Sequence, residues 1–146
     1  IPADKEDPEV LSPEKTKKYI EIIANEKKKS EKQLLNKTRI ASHRALQFYK
    51  YGGKPYYCSA GKSLLTIMPN GDLYPCRRMP VNLGNILETS LINLYTHSSF
   101  IKNLQKESIP SECQCCTYKN YCKGGLKCLS YAINKDPHAK DPGCWK

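Results

Sequence analysis

Hydrophobic and polar positions divide the chain into a charged front, a hairpin, a helical middle and a cysteine-rich tail. In "SPEKTKKYIEIIANEKKKSEKQLL" acids alternate with bases, while Tyr19, Ile20, Ile23 and Ala24 recur on one helical face and Leu34 and Leu35 follow near its end. Ser12 as N-cap, Pro13 at the first helical position and Glu14 in the first turn fix the start, so a helix is expected from there to about residue 35. Its lysine-rich middle has no continuous apolar stripe. The arm therefore needs a neighbour, as expected if part of its packing surface lies elsewhere in a longer protein. Residues 1–11 read as an extended connector. The stretch "TRIASHRALQFYKYGGKPYY", residues 38–57, fits strand or helix and is broken by Gly52-Gly53 and Pro55.

The segment "SLLTIMPNGDLYPC" predicts a β-hairpin. Aliphatic and β-branched residues lead to a turn carrying Asn70-Gly71, and a short return strand ends at Cys76. The reversal carries Cys76 back beside the start of the first strand, where Cys58 also lies, so the two thiols can meet at the open end of the hairpin. In "TSLINLYTHSSFIKNLQ" the residues Leu91, Leu94 and Tyr95, then Phe100, Ile101 and Leu104, predict one helix or two short ones, capped by Thr89 or Ser90. Beyond this segment the chain is turn-rich and weakly periodic. The expected class is α+β: a small irregular cysteine-rich domain with a β-hairpin and short helices, preceded by an N-terminal helical arm.

Composition narrows the picture. A chain of 146 residues, 39% hydrophobic and with mean hydropathy -0.64, has a thin core that calls for covalent or metal staples and no room for a large catalytic barrel. There is no run of about 18 apolar residues to span a membrane and no apolar segment resembling a signal peptide, so a cytoplasmic protein is expected, and the absence of an initial Met suggests a fragment. The net charge of +10 would suit an anionic partner. Much of it sits on the arm without interleaved aromatics, which argues against a nucleic-acid footprint.

Five of the eight cysteines fall in "CQCCTYKNYCKGGLKC", residues 113–128. Cys113 and Cys116 form a C-x2-C knuckle, in which two thiolates converge while backbone N–H groups point at the sulfurs. Disulfides need an oxidising compartment, and adjacent Cys115 and Cys116 are awkward partners. Tetrahedral zinc and iron-sulfur clusters both use such thiolates, and spacing alone leaves the two open.

The whole pattern resembles one family. Cys58, twelve residues, Gly71, four residues, Cys76, a gap, Cys113-x2-Cys116-x5-Cys122, Cys128, and finally Cys144 in "DPGCW" is similar to the SPASM domain, the C-terminal extension of many radical S-adenosylmethionine enzymes. The phrases "AGKSLLTIMPNGDLYPC", "LGNILETSL" and "CKGG" add to the likeness, which covers about residues 56–145. The resemblance implies two [4Fe-4S] clusters with interleaved ligands: Cys58, Cys76 and Cys128 at the first, and Cys113, Cys116, Cys122 and Cys144 at the second. Leu126 stands where the family usually has a cysteine directly after the glycine pair, and Gly52 stands where some members have a further one. The first cluster is accordingly expected to have three protein thiols, with Cys115 as the rival fourth ligand.

Residues 1–37 resemble the end of the family's catalytic barrel, and residues 38–146 the auxiliary domain. The C-x3-C-x2-C motif that binds the catalytic cluster and S-adenosylmethionine does not occur in these residues, so no radical-generating activity is assigned to them. The resemblance implies electron transfer and substrate docking in peptide or protein modification. Its partners would be the barrel of the parent chain, a peptide or protein substrate and a reductant protein. The alternative is a zinc-stabilised interaction module with a basic arm. Arg77 and Arg78 read either as cations offsetting cluster charge or as surface residues; Tyr56, Tyr57, Tyr118 and Tyr121 read as walls around the thiols; and His43, His97 and His138 stand at no ligand spacing to a cysteine.

Overall fold

A computed structural model describes residues 10–32, 38–42 and 44–146. Among them six helices and one hairpin occur in the order α1 (Pro13–Glu31), α2 (Phe48–Tyr51), β1 (Thr66–Ile67), β2 (Leu73–Tyr74), α3 (Leu91–His97), α4 (Ser99–Gln105), α5 (Lys119–Cys122) and α6 (Lys127–Asn134). This is the expected α+β class.

Helix α1 starts as its sequence dictates: Ser12 Oγ accepts from the Lys15 N–H at 3.3 Å, with Pro13 at the first helical position. It is assigned to Glu31, and its expected last turn with Leu34 and Leu35 lies outside the described residues, as do His43 and most of the expected connector. Ile20 and Ala24 are buried as the periodicity predicts, whereas Tyr19 is 53% exposed. One residue is about 100° of helical turn, which carries Tyr19 off the narrow contact line through Ile20 and Ala24. The ambiguous 38–57 stretch resolves into a 3-10 turn at Ala45–Gln47 and the single turn of α2, against which α1 packs. Glu21 and Lys50 bridge the two helices at 2.6 Å, and the Lys27 ammonium lies 5.2 Å from the Tyr51 ring centre.

In the hairpin, Thr66 pairs with Tyr74 and Ile67 with Leu73. The Met68 N–H donates to the Asp72 carbonyl at 2.8 Å and the Gly71 N–H to the Met68 carbonyl at 2.9 Å, making Pro69-Asn70-Gly71 a three-residue reversal with Gly71 at φ +90°. The "LGNI" segment lies alongside β2: Leu73 N–H donates to Gly84, Leu83 N–H to Leu73, and Ile86 N–H to Gly71. Asn85 locks this strip to the turn. Its Nδ2 donates to the Asn70 carbonyl at 2.8 Å and to Asp72 Oδ1 at 3.1 Å, and its Oδ1 accepts from the Leu87 N–H at 2.9 Å.

The helical middle is two helices. Ser90 caps α3 by accepting from the Asn93 N–H, and Ser98, in an extended conformation, ends α3 and caps α4 by accepting from the Ile101 N–H. The tail is more ordered than its weak periodicity suggests, because α6 runs for eight residues in a stretch whose sequence predicts turns.

Two apolar clusters form the core. Ala45, Met79, Leu104, Leu126 and Cys128 make the first; Ile20, Leu46, Phe48 and Cys122 make the second, with Tyr49, Cys144 and Trp145 packed against it. Each cluster thus includes a buried thiol.

A Cβ at Gly71 would stand 2.6 Å from Asn85 Oδ1, at a φ that L-residues rarely adopt. Gly71→Ala should destabilise the protein by about 1–3 kcal/mol in denaturant unfolding. An unchanged midpoint would show that the Asn85 lock yields.

Candidate metal centres

The structure sorts seven of the eight cysteines into two groups. The first is built at the open end of the hairpin. After Cys58, the "SAGKSL" loop closes on itself through Leu64 N–H to the Ser59 carbonyl, and the Gly61 N–H reaches the carbonyl of Pro75, the residue preceding Cys76. The loop after Cys58 is thereby tied to the residue before Cys76. Cys76 then opens a tight turn in which the Met79 N–H donates to its carbonyl at 2.9 Å and the Arg78 N–H approaches its sulfur at 3.5 Å. Cys128, buried in the first turn of α6, faces these two. Burial pushes its thiol pKa up, the charges of Cys58 and Cys76 push the same way, and Arg78 and the Leu129 N–H oppose them. Lys127 stands beside this group. Burial and the Lys62 charge lower its pKa, and Cys58 opposes that shift. Its ammonium donates to the Leu104 and Lys106 carbonyls at the end of α4.

The second group surrounds a pocket lined by Cys113, Cys116, Cys122 and Cys144 together with Leu46 and Tyr49. Cys113 ends a 3-10 turn after Pro110, and the Cys116 N–H donates to the Cys113 carbonyl at 3.0 Å. That turn puts two thiols side by side and leaves Cys115 exposed. Cys122 ends α5, and its thiol pKa is pushed up to about 11, by burial first, then by the charges of Cys144 and Asp141, with the Gly124 N–H working against them. Cys113 is shifted upward by burial and by Cys144. Among the described residues no three Cys, His, Asp or Glu side chains clasp a single metal ion; the four thiols line a space instead.

Tyr49 closes one wall of that space. Its ring lies 4.2 Å from that of Phe48 and 5.1 Å from those of Tyr118 and Trp145, the last two in edge-on contact. Burial raises its hydroxyl pKa, and Cys144, Cys122 and Cys116 raise it further, so the hydroxyl stays protonated. Tyr118 and Tyr121 pack edge-on against Phe48. His138 ties the tail to α4 through Ser108 and the Asn103 carbonyl, and His97 bonds Thr96 and the Asn93 carbonyl, so both have structural partners.

The residue that sequence reasoning missed is Asp141. Its side chain is buried, with Oδ2 accepting from the Leu126 N–H at 3.1 Å and Oδ1 from the Gly143 N–H at 2.9 Å. The Asp141 N–H donates to the Gly124 carbonyl at 2.8 Å, and the Cys144 N–H to the Asp141 carbonyl at 2.9 Å. This one residue joins the glycine pair between Cys122 and Cys128 to the tail that carries Cys144. Gly125 sits at φ +91°, and a Cβ there would stand 2.5 Å from the Asp141 Cβ, so "KGGLK" is a fixed seat for the carboxylate rather than the free swinging loop that two glycines suggest. The phrase "DPGCW" carries the only local signal for Asp141, and in it the cysteine and the turn residues stand out before the acid does.

Residues 58–117 match the family model of SPASM, described as an iron-sulfur cluster-binding domain. The chain is 27% identical over 88 residues to an AdoMet-dependent heme synthase of Methanosarcina barkeri, covering 60% of this chain and 25% of that protein. It is 28% identical over 102 residues to a PqqA peptide cyclase of Xanthomonas axonopodis pv. citri and 26% identical over 102 residues to that of Xanthomonas euvesicatoria pv. vesicatoria, in each case covering 66% of this chain and 27% of the relative. The chain thus spans about a quarter of the length of the curated relatives it matches. No helix among the described residues is long and apolar enough to cross a membrane.

With a pKa of about 11, Cys122 is thiolate in only about one molecule in a thousand at pH 8. In metal-free protein at that pH, iodoacetamide should label exposed Cys115 first and buried Cys113, Cys122 and Cys128 last, with Cys122 catching up as the pH nears 11. Mass spectrometry of the alkylated peptides reads the order; early labelling of Cys122 would contradict its burial. Asp141→Asn leaves one of two buried N–H groups facing an amide donor, so it should cost about 1–3 kcal/mol and speed hydrogen exchange at Leu126 or Gly143.

Proposed function

We propose that this chain is the auxiliary, cluster-carrying part of a radical S-adenosylmethionine enzyme that modifies a peptide or protein, because residues 58–117 match the family model of SPASM, an iron-sulfur cluster-binding domain. The observation that carries the reading is the sorting of seven cysteines into a three-thiol group and a four-thiol group. Cys58, Cys76 and Cys128 hold one [4Fe-4S] cluster, and Cys113, Cys116, Cys122 and Cys144 hold a second.

The residues suit such a group. The donors are all thiols, four of them line a pocket instead of closing on a point, and backbone N–H groups of Arg78, Gly124 and Leu129 point at Cys76, Cys122 and Cys128. When bound, iron-sulfur clusters supply one-electron storage and transfer. The matched family is an iron-sulfur binder, which disfavours a zinc-stabilised interaction module.

In this reading the chain's own groups do three things. Thiolates anchor the hairpin and the tail to the central knuckle, the Tyr49 ring on α2 walls the four-thiol pocket, and Arg78 and Lys127 offset negative charge at the three-thiol group. That group offers no fourth thiol, since Cys115 is exposed and the thiols acting on Cys128 are Cys58 and Cys76. A cluster held by those three thiols would keep one iron free for substrate docking. Residues 1–37 continue the catalytic barrel of a cytoplasmic parent protein, where S-adenosylmethionine binds, and a reductant protein exchanges electrons with the clusters.

Anaerobically reconstituted protein should be brown and hold about eight iron atoms per chain, the content of two [4Fe-4S] clusters. A colourless protein that takes up zinc and rejects iron would overturn the reading. Cys144→Ala should remove about one cluster and raise hydrogen exchange across residues 129–146, while Cys115→Ser should leave both clusters intact. Full iron and an unaltered tail in the Cys144 variant would break the proposed grouping; loss of the first cluster in the Cys115 variant would fill the vacant position.

A further inference from the structure

Strand β1 pairs with β2 on one side, and its other edge is open. The Met68 N–H donates to the Asp72 carbonyl at 2.8 Å and Thr66 pairs with Tyr74, so both residues turn their backbone groups towards β2. Ile67 lies between them and faces Leu73, whose N–H donates to the Gly84 carbonyl and whose carbonyl accepts from the Leu83 N–H. The Ile67 N–H and carbonyl therefore point away from the hairpin, and the same alternation sends those of Leu65 outward too. Among the described residues no backbone group bonds them.

Open edges invite another chain, and proteins ordinarily blunt them with lysine, proline or a bulge. Residues 64–68, "LLTIM", carry neither charge nor proline, and Leu64, Ile67 and Met68 are exposed. Alternation sets Leu64 and Met68 on one face and Ile67 on the other, so an added strand meets aliphatic side chains on both. The edge also leads to the three-thiol group. The Gly61 N–H bonds the Leu64 carbonyl at 3.0 Å and the Pro75 carbonyl at 3.1 Å, which keeps Leu64 close to the residue preceding Cys76.

We propose that the outer edge of β1 binds an extended segment of the peptide or protein substrate as an added strand, through the N–H and carbonyl groups of Leu65 and Ile67. The proposal rests on the reading that the parent enzyme modifies such a substrate. A donor and an acceptor from each of two residues suit a peptide that binds and leaves, whereas a permanent subunit contact needs a far larger surface. Backbone bonding tolerates varied sequence, while Leu64, Ile67 and Met68 favour β-branched or aliphatic residues in the segment. From Ile67 back to Leu64 is about 10 Å of extended chain. A segment laid along it runs towards the three-thiol end of the hairpin.

The test is amide hydrogen exchange of the iron-reconstituted chain, resolved to single amides by fragmentation mass spectrometry. The probe is a synthetic peptide of alternating valine and threonine with a lysine at each end. With half the edges filled, exchange at the Leu65 and Ile67 amides should slow about twofold while amides of α3 keep their rates. The same peptide with every backbone nitrogen methylated keeps its side chains and should protect neither. Ile67→Pro removes an N–H that the fold leaves unbonded, and should abolish protection at Leu65 without loss of iron. Where that variant fails to fold, Ile67→Lys puts a charge on the edge and should have the same effect. An iron-loaded chain whose Leu65 and Ile67 amides exchange alike with and without the probe overturns the assignment alone. Protection that rises with protein concentration in the absence of peptide gives the edge to a second copy and also overturns it. A chain that takes up zinc and rejects iron overturns the underlying reading.

Discussion

The buried carboxylate of Asp141 is the interaction on which the arrangement of thiols depends. Two cysteines that serve different groups, Cys122 and Cys128, are separated by only five residues, and the chain must turn sharply between them. The glycine pair makes the turn possible, and Asp141 makes it definite by accepting the Leu126 N–H while its own backbone bonds Gly124. The other carboxylate oxygen takes the Gly143 N–H, which aligns the next residue, Cys144, with the pocket. A carboxylate removed from water at this depth carries a desolvation cost, seen in its raised pKa, and the two N–H donors offset part of it. Position, more than net stability, is what the residue contributes.

A second constraint arises from the small core. Both apolar clusters incorporate cysteine sulfur, so the burial that stabilises the fold is the same burial that holds thiols in their neutral form. Without metal, protonated Cys122 is the favoured folded state, and stability declines as the pH climbs from the ordinary thiol range towards about 11. A bound cation reverses that balance by displacing the protons. Packing and ligation thus compete for the same sulfur atoms, and the N–H groups of Gly124 and Leu129 ease the competition by favouring thiolate.

Local signals in the sequence are informative wherever local physics decides the outcome. The "PNGD" turn marks the hairpin, Ser12 and Pro13 mark the start of α1, and Ser90 marks the start of α3. The break at Ser98 is open in the sequence, because a serine tolerates helix as well as cap and only its extended backbone decides. Helix α6 is hidden because its eight residues come after two glycines and are positioned by Leu126 and Cys128 entering the core. The grouping of the thiols is implied by resemblance alone, since its ligands lie far apart along the chain. Asp141 is not legible, since what it does depends on a residue far away in sequence, Leu126.

The return of Cys144 to a knuckle formed far upstream has a consequence for how the protein is made. The three-thiol group is complete once Cys128 has been synthesised, sixteen residues before Cys144. At ordinary elongation rates that interval is about one to three seconds. During it the ribosome holds a chain with one finished set of thiols and another that still lacks a wall. In order of synthesis, then, every thiol of the first group precedes the last thiol of the second, and the second is closed by the arrival of the tail.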